Sequence, residues 1–301
     1  MTLQQLKYTV TVAETGTFSE AAKLLFLSQP SLTKSIKELE KEMKITIFDR
    51  TNKGISVSKE GEIFLGYARQ VLEQAALLEE KYKNHAGGKQ KFRVSTQHYS
   101  FAVNAFVDLI KKYGGNEYDF SLRETQTFNI IEDVSQMNSE IGILYYNAFN
   151  RMVIEKLLKS NDLRFTQLFT AKPHIFVSSR NPLAQKLFVK MEDLTPYPYL
   201  SYEQGKHNSF YFSEEIFSTE IRSKNIRVMD RATLFNLLIG LNGYTICSGV
   251  IDRELNGENI VAVPLQAEGE MHIGVITHKK ATLSRLGAYY IETLKKYTDN
   301  N

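Results

Sequence analysis

A chain of 301 residues exceeds one typical domain, and its 43% hydrophobic and 24% charged composition is that of an ordinary globular protein. The net charge of +3 excludes a uniformly basic nucleic-acid coat, so any surface that binds a polyanion must be local. The single cysteine, Cys247, excludes an intramolecular disulfide and a Cys-rich metal site; it reads as a small buried side chain, with a lone redox-sensing thiol as the alternative. No apolar run reaches the roughly 18 residues of a membrane span, and the opening residues carry no secretory signal pattern. A cytoplasmic location and no membrane partner are expected.

The first helix is expected over residues 3–14, where Leu3, Leu6, Val10 and Ala13 recur at helical spacing before Gly16. A second runs from about Ser19 to Leu25, with Thr17 or Ser19 as cap and Ala21, Ala22 and Leu25 as a compact face. Ser28 is a good N-cap for a third, and Pro30 sits in its first turn, where the missing N–H costs nothing. Leu32, Ile36, Leu39 and Met43 form its apolar stripe. Short extended pieces at 46–48 and 55–57 read as a hairpin around a polar turn.

From Ser58 a long helix is expected, with Phe64, Ala68, Val71, Ala75, Leu78 and Tyr82 at steps of four and three. That heptad seam fits a helix pairing with another copy, or a face packed on its own domain. His85, Ala86, Gly87, Gly88 and Lys89 then form the clearest linker. Beyond it, strands at 92–96, 120–124, 141–145, 173–178, 244–247 and 272–277 alternate with helices at 101–113, 128–137, 235–241 and 283–297, which implies parallel sheets covered by helices.

Three short helices and a hairpin in the first 58 residues make a winged helix-turn-helix. Its third helix carries Gln29, Ser31, Thr33, Lys34 and Lys37 on the N-terminal turns, away from the apolar stripe. Such groups suit the edges of bases and the phosphates of a major groove. Arg50 and Lys53 in the polar turn could touch flanking phosphates or the minor groove. The acids Glu38, Glu40 and Glu42 fall on later turns. No GxSxG, P-loop, GxGxxG or HExxH pattern occurs, and the six histidines never pair at helical ligand spacing, so no catalytic residue, cofactor or metal is expected.

The run Phe18-Ser19-Glu20-Ala21-Ala22, Ser28-Gln29-Pro30-Ser31-Leu32-Thr33, Leu39-Glu40, Ile47-Phe48-Asp49-Arg50 and Val57-Ser58-Lys59-Glu60-Gly61 resembles the N-terminal signature of LysR-type transcriptional regulators. Fainter likeness continues in Asn181-Pro182-Leu183 and Gly240-Leu241-Asn242-Gly243-Tyr244. The resemblance implies a winged helix-turn-helix over 1–58 and a dimerising linker helix with hinge over 59–90. It implies a two-lobed α/β effector domain like periplasmic binding proteins over 91–301, with lobe I at 91–162 and 268–301 and lobe II at 163–267. Crossing strands are expected near 163–169 and 261–266.

The implied partners are double-stranded DNA, a second copy through the linker helix, a tetramer of two such dimers, a small-molecule effector, and RNA polymerase as a further candidate. DNA contact falls to Gln29, Pro30, Ser31, Thr33, Lys34, Lys37, Arg50 and Lys53. Ligands of open α/β sheets sit where strands end and helices begin. Among the residues at such junctions, the family resemblance implies Thr96, His98, Ser100, Thr127 and Ser201 as effector contacts, and a small carboxylate is the expected effector class.

Overall fold

The computed structural model describes residues 1–51, 54–82, 90–207, 209–251 and 257–297. The chain divides into two compact units, Met1–Gly88 with Ser135–Asn138, and Lys89–Val134 with Ser139–Asn301.

In the first unit, α1 (Leu3–Thr15) opens on a capping box: Gln5 N–H donates to the Thr2 hydroxyl and Thr2 N–H to the Gln5 side chain. Gly16, at φ 71°, ends it in the left-handed region. Thr17 caps α2 (Phe18–Leu24), and Ser28 caps α3 (Gln29–Met43), with Pro30 in the first turn as expected. Leu32, Ile36 and Leu39 are buried with Val12, Ala21, Ala22, Ile47 and Phe48. Leu3 and Met43 lie beyond the reach of this small core and are exposed.

Strands β1 (Phe48–Thr51) and β2 (Gly54–Val57) pair antiparallel, Phe48 opposite Val57. The hairpin begins at Phe48, two residues later than the pattern suggests, because Glu40 accepts the N–H groups of Ile47 and Phe48 at 2.7 and 3.1 Å. Those amides are held by a side chain of α3 and start the wing only after the turn.

Helix α4 (Lys59–Tyr82) is capped by Ser58, whose hydroxyl accepts from Gly61 N–H at 2.9 Å and donates to the Thr46 carbonyl. Leu65 and Ala68 are buried against Leu6 and Val10 of α1, with Phe64 and Leu72 packed beside them. Phe64 and Ala68 therefore serve the unit's own core, and the exposed apolar face of α4 is Ile63, Tyr67, Val71 and Leu78. The linker at 85–89 lies outside the described residues.

The second unit runs β3 (Gln90–Thr96), α5 (Ser100–Tyr113), β4 (Tyr118–Glu124), α6 (Thr127–Ser135), β5 (Ile141–Tyr146), α7 (Arg151–Ser160), β6 (Leu163–Ala171) and β7 (His174–Ser178). It continues through β8 (Tyr199–Tyr202), β9 (Asn225–Val228), α8 (Arg231–Leu241), β10 (Tyr244–Cys247), β11 (Ile260–Pro264), β12 (Met271–His278) and α9 (Arg285–Lys296). Two five-stranded sheets result, ordered β4-β3-β5-β12-β6 and β11-β7-β10-β8-β9.

Both sheets are mixed where parallel ones were expected. β3 is parallel to β4 and β5, but β12 is antiparallel to β5 and β6; likewise β8 is parallel to β9 and β10, but β7 is antiparallel to β10 and β11. The antiparallel strands belong to the passages of the chain between sheets. β6 pairs with β12 from Leu163 to Ala171, so the crossing expected at 163–169 lies wholly in the first sheet. Lobe I thus keeps β6, and the chain passes to the second sheet at 172–173 and returns between Pro264 and Met271. One apolar cluster joins the sheets, bringing Phe92, Val94, Tyr145 and Tyr290 together with Ile175, Val177, Tyr244 and Ile246.

The two fainter family-like turns meet here. Asn181 accepts from Leu183 N–H and donates to the Asn242 carbonyl, both at 2.9 Å. Asn242 closes α8 at φ 53°, a conformation Asn tolerates. Gly243 follows because a Cβ there would lie 2.3 Å from Leu200 and 2.9 Å from the Pro198 carbonyl.

Gly61 has a similar reason: a Cβ would come within 2.3 Å of the Ile47 carbonyl oxygen, a backbone atom that cannot swing aside. Gly61→Ala is expected to destabilise the first unit by about 1–3 kcal/mol through forced backbone movement. Urea denaturation followed by far-UV circular dichroism measures it, and an unchanged midpoint would contradict the packing described.

Candidate functional site

The first unit presents the leading edge of α3. Gln29, Pro30, Ser31, Lys34 and Lys37 are exposed and Thr33 is half-buried beside the Leu32 face. The Ser19 hydroxyl donates to the Gln29 side-chain oxygen at 3.1 Å, which ties α2 to the start of α3 and aligns the amide. Ser31 is bonded to the cap, its hydroxyl 2.7 Å from that of Ser28. Arg50 lies on β1, and Lys53 lies outside the described residues. An exposed row of amide, hydroxyl and ammonium groups on a helix N-terminus has the chemistry to meet base edges and phosphates.

In the second unit the turn from β3 into α5 faces the segment between β8 and β9. His98 N–H donates to Glu214 at 3.0 Å, and its Nδ1 lies 2.9 Å from the same carboxylate. The imidazole also stacks on Tyr202, centroids 3.8 Å apart and planes within 5°. Gln97, fully buried, donates to the Thr127 hydroxyl at 2.6 Å and accepts from Tyr145 N–H and the Tyr99 hydroxyl. Thr127 is bound across the sheets as well: its N–H donates to Gln204 at 3.1 Å and its hydroxyl to the Phe212 carbonyl at 2.7 Å. The Ser100 hydroxyl donates to the Val250 carbonyl at 3.3 Å. At the rim, Arg231 at the start of α8 pairs with Glu124 at the end of β4, 3.0 Å apart.

These contacts enclose a cavity of about 40 Å³ whose lining includes His98, Ser100, Tyr202, Glu215, Thr245 and Cys247. Of the expected effector contacts, His98 and Ser100 line it. Thr96 is buried with its hydroxyl donated to the Gln97 carbonyl, Thr127 is consumed by the bonds above, and Ser201 lies within β8 opposite Arg227. Sequence reasoning passed over Glu214 and Glu215. Their signal was an acidic pair between Phe212 and Ile216, where burial was to be expected from the apolar flanks.

Electrostatics here follow from burial. Glu215 is pushed up to about 8, first by desolvation and then by the charge of Glu214, against the Tyr202 N–H that it accepts at 2.8 Å. Desolvation pulls the His98 imidazole down, but Glu214, with its charge and hydrogen bond, and the nearby Glu124 and Glu215 leave it raised. Burial also raises Glu124, with Arg231 opposing. Desolvation pushes the Cys247 thiol up, although the residue as a whole is half-buried.

Each of Glu215, His98 and Glu124 holds its proton more tightly in the folded chain than in an unfolded one. The folded state then carries protons that the unfolded state releases, so stability falls as pH rises. For Glu215 the fall spans the interval from its ordinary 4.5 to about 8. Melting temperature is expected to decline between about pH 5 and pH 8, and Glu215→Gln to flatten that decline. A wild-type profile that rises over this interval would refute the assignment.

Comparison with known proteins adds three findings. The family model described as bacterial regulatory helix-turn-helix protein, lysR family, matches residues 3–62, and that of the LysR substrate binding domain matches 94–299. A probable RuBisCO transcriptional regulator of Phaeodactylum tricornutum is 24% identical over 98% of this chain and 96% of its own length; the transcriptional regulator AlsR of Bacillus subtilis is 25% identical over 100% and 92%. Among solved structures, a full-length OxyR variant from Pseudomonas aeruginosa is similar over 100% of this chain and 95% of its own, at a TM-score of 0.68 and 18% identity. CbnR, a LysR family regulator, gives 0.58 at 18% over 99% of both chains.

Proposed function

This chain belongs to the LysR family of bacterial regulatory helix-turn-helix proteins, and from that premise we propose that the leading edge of α3 reads a DNA major groove. The chain is a transcriptional regulator with a DNA-binding domain and an effector-binding domain, and not an enzyme. The observation that carries the assignment of residues is the exposed row on α3. Gln29 and Thr33 serve as base contacts, Ser31, Lys34 and Lys37 as phosphate or base contacts, and Pro30 fixes the helix start against the backbone. Arg50 and Lys53 of the wing are assigned to flanking phosphates. Ser19 supports the role of Gln29, because a side chain already oriented loses less freedom on binding.

A second copy pairs along the exposed face of α4, where Ile63, Val71 and Leu78 recur at heptad-like spacing beside Tyr67. Paired recognition helices then meet paired half-sites, and two such dimers make a tetramer. Effector bound between the lobes shifts the population of lobe arrangements, and with it the spacing of the DNA-binding units and their presentation to RNA polymerase. The domain limits that follow are 1–58 for DNA reading, 59–90 for pairing and hinge, and 91–301 for sensing. No helix among the described residues is long and apolar enough to cross a membrane.

DNA fragments selected from a random pool by the wild-type protein provide the ligand for the test. Fluorescence anisotropy is expected to show Gln29→Ala or Thr33→Ala losing about 1–3 kcal/mol on selected sites and little on scrambled DNA. Lys34→Ala is expected to weaken both and to lower the salt slope by about one. Wild-type selectivity in a folded variant that combines Gln29→Ala, Thr33→Ala and Lys34→Ala would overturn the assignment. For pairing, Val71→Glu with Leu78→Glu is expected to yield monomers in sedimentation velocity, and an unchanged dimer would place the interface elsewhere.

A further inference from the structure

The charge balance inside the interlobe cavity departs from what an anionic effector requires. Three donors at the strand-to-helix turns that would greet a carboxylate are already taken by the protein: His98 N–H and imidazole by Glu214, and Thr127 N–H by Gln204. Each cation at the cavity also has its own carboxylate, His98 with Glu214 and Arg231 with Glu124. Glu215 is left over. It is 3% exposed, lines the cavity, accepts the backbone N–H groups of Tyr202 at 2.8 Å and of Glu215 itself, and forms no ion pair among the described residues.

A second group faces the same space without a partner. Thr245 on β10 is 4% exposed and lines the cavity, and no hydrogen bond holds its hydroxyl among the described residues. Phe176 and Phe235 complete the wall as an edge-to-face pair, 6.3 Å between centroids. A buried carboxyl lacking a counter-charge, a spare hydroxyl and aromatic surface together suit a cation that brings its own N–H donors and some hydrocarbon. Among the described residues no group of three or more His, Cys, Asp or Glu is placed to hold a metal ion.

Resting on the reading that the C-terminal unit takes a small effector, we propose that the interlobe cavity binds an organic ammonium group, which donates to Glu215 and Thr245 and lays its hydrocarbon against Phe176 and Phe235. The cavity of about 40 Å³ has room for only a few non-hydrogen atoms. A neighbouring open pocket of about 510 Å³ shares Arg231 and Phe235 with it and also meets Glu124 and Asp230. A longer amine can therefore seat its head inside and extend past the Arg231–Glu124 pair. The groups facing Glu215 are Glu214, His98 and the neutral Tyr99, Tyr145, Tyr199, Tyr202 and Cys247. Because Glu215 holds its proton up to about 8, ammonium binding near neutral pH releases that proton.

Full-chain protein is titrated with ethylammonium chloride in calorimetry and thermal shift, beside sodium acetate, ethanol and potassium chloride at matched ionic strength. Ethylammonium alone is expected to raise the melting temperature and to bind in about the millimolar range, the limit set by its few atoms. Heats taken near pH 7 in two buffers of unlike ionisation enthalpy are expected to differ by the released proton. Glu215→Gln is expected to weaken binding at least tenfold, and Thr245→Phe, which fills the cavity, to abolish it; either variant suffices if the other fails to fold. Ethylammonium binding untouched by both variants overturns the proposal, as does an equal response to potassium or ethanol. Acetate binding that Thr245→Phe removes overturns the charge class but leaves the effector cleft standing. Silence from every probe overturns the ammonium proposal and leaves the effector-binding domain standing.

Discussion

A carboxylate carried by the second lobe, Glu214, lies buried against the backbone N–H and the imidazole of His98 in the first, and the sensor's arrangement rests on that contact. Both partners are almost out of water, so neither can lose the other without leaving a desolvated charge or an unsatisfied amide. Around this anchor the turns of the first lobe give up their spare donors: Thr127 to Gln204 and Phe212, Ser100 to Val250. The turn after β3 and the start of α6 thereby become a closed seam, and the space left is small and acidic. In the first unit an analogous role falls to Glu40, which spends its carboxylate on two backbone amides so that the wing can leave α3 at a fixed angle.

What could be read in advance depended on the range of the interaction. Ser28, Pro30 and the Leu32-Ile36-Leu39 stripe define α3 within fifteen residues, so cap, face and exposed edge were all legible. The turn after β3 was legible too, since a strand running into a helix leaves polar groups at the junction, and His98 and Ser100 do reach the cavity. Thr96 and Thr127 sit at equivalent positions and do not, because their hydroxyls satisfy local and cross-lobe backbone groups that no pattern in the chain announces. Glu214 escaped notice for the same reason: its partner lies 116 residues earlier. On α4 the heptad spacing was visible, but which face would be spent on α1 was decided by packing of Leu65 and Ala68 against Leu6 and Val10.

Likeness of fold and likeness of chemistry separate in this chain. An OxyR structure shares its architecture, and the single cysteine of this chain is a half-buried thiol that desolvation pushes up. Its neighbours in the cavity lining are Thr245 on the same strand and the carboxyl of Glu215. The scaffold is shared across such chains, and the side chains lining the junction give this one its own chemistry.

The order of strands in the first sheet has a consequence for how the chain is made. β12 is inserted between β5 and β6 and is followed by α9, so the fourth place in the sheet is filled by residues 271–278. On the ribosome, the helix-turn-helix unit has every residue of its main run long before that strand emerges. β6 has no partner in this sheet, and β5 none on that side, until residues 271–278 have been made. A chain that stops short of β12 thus holds a complete helix-turn-helix run together with an unfinished effector domain.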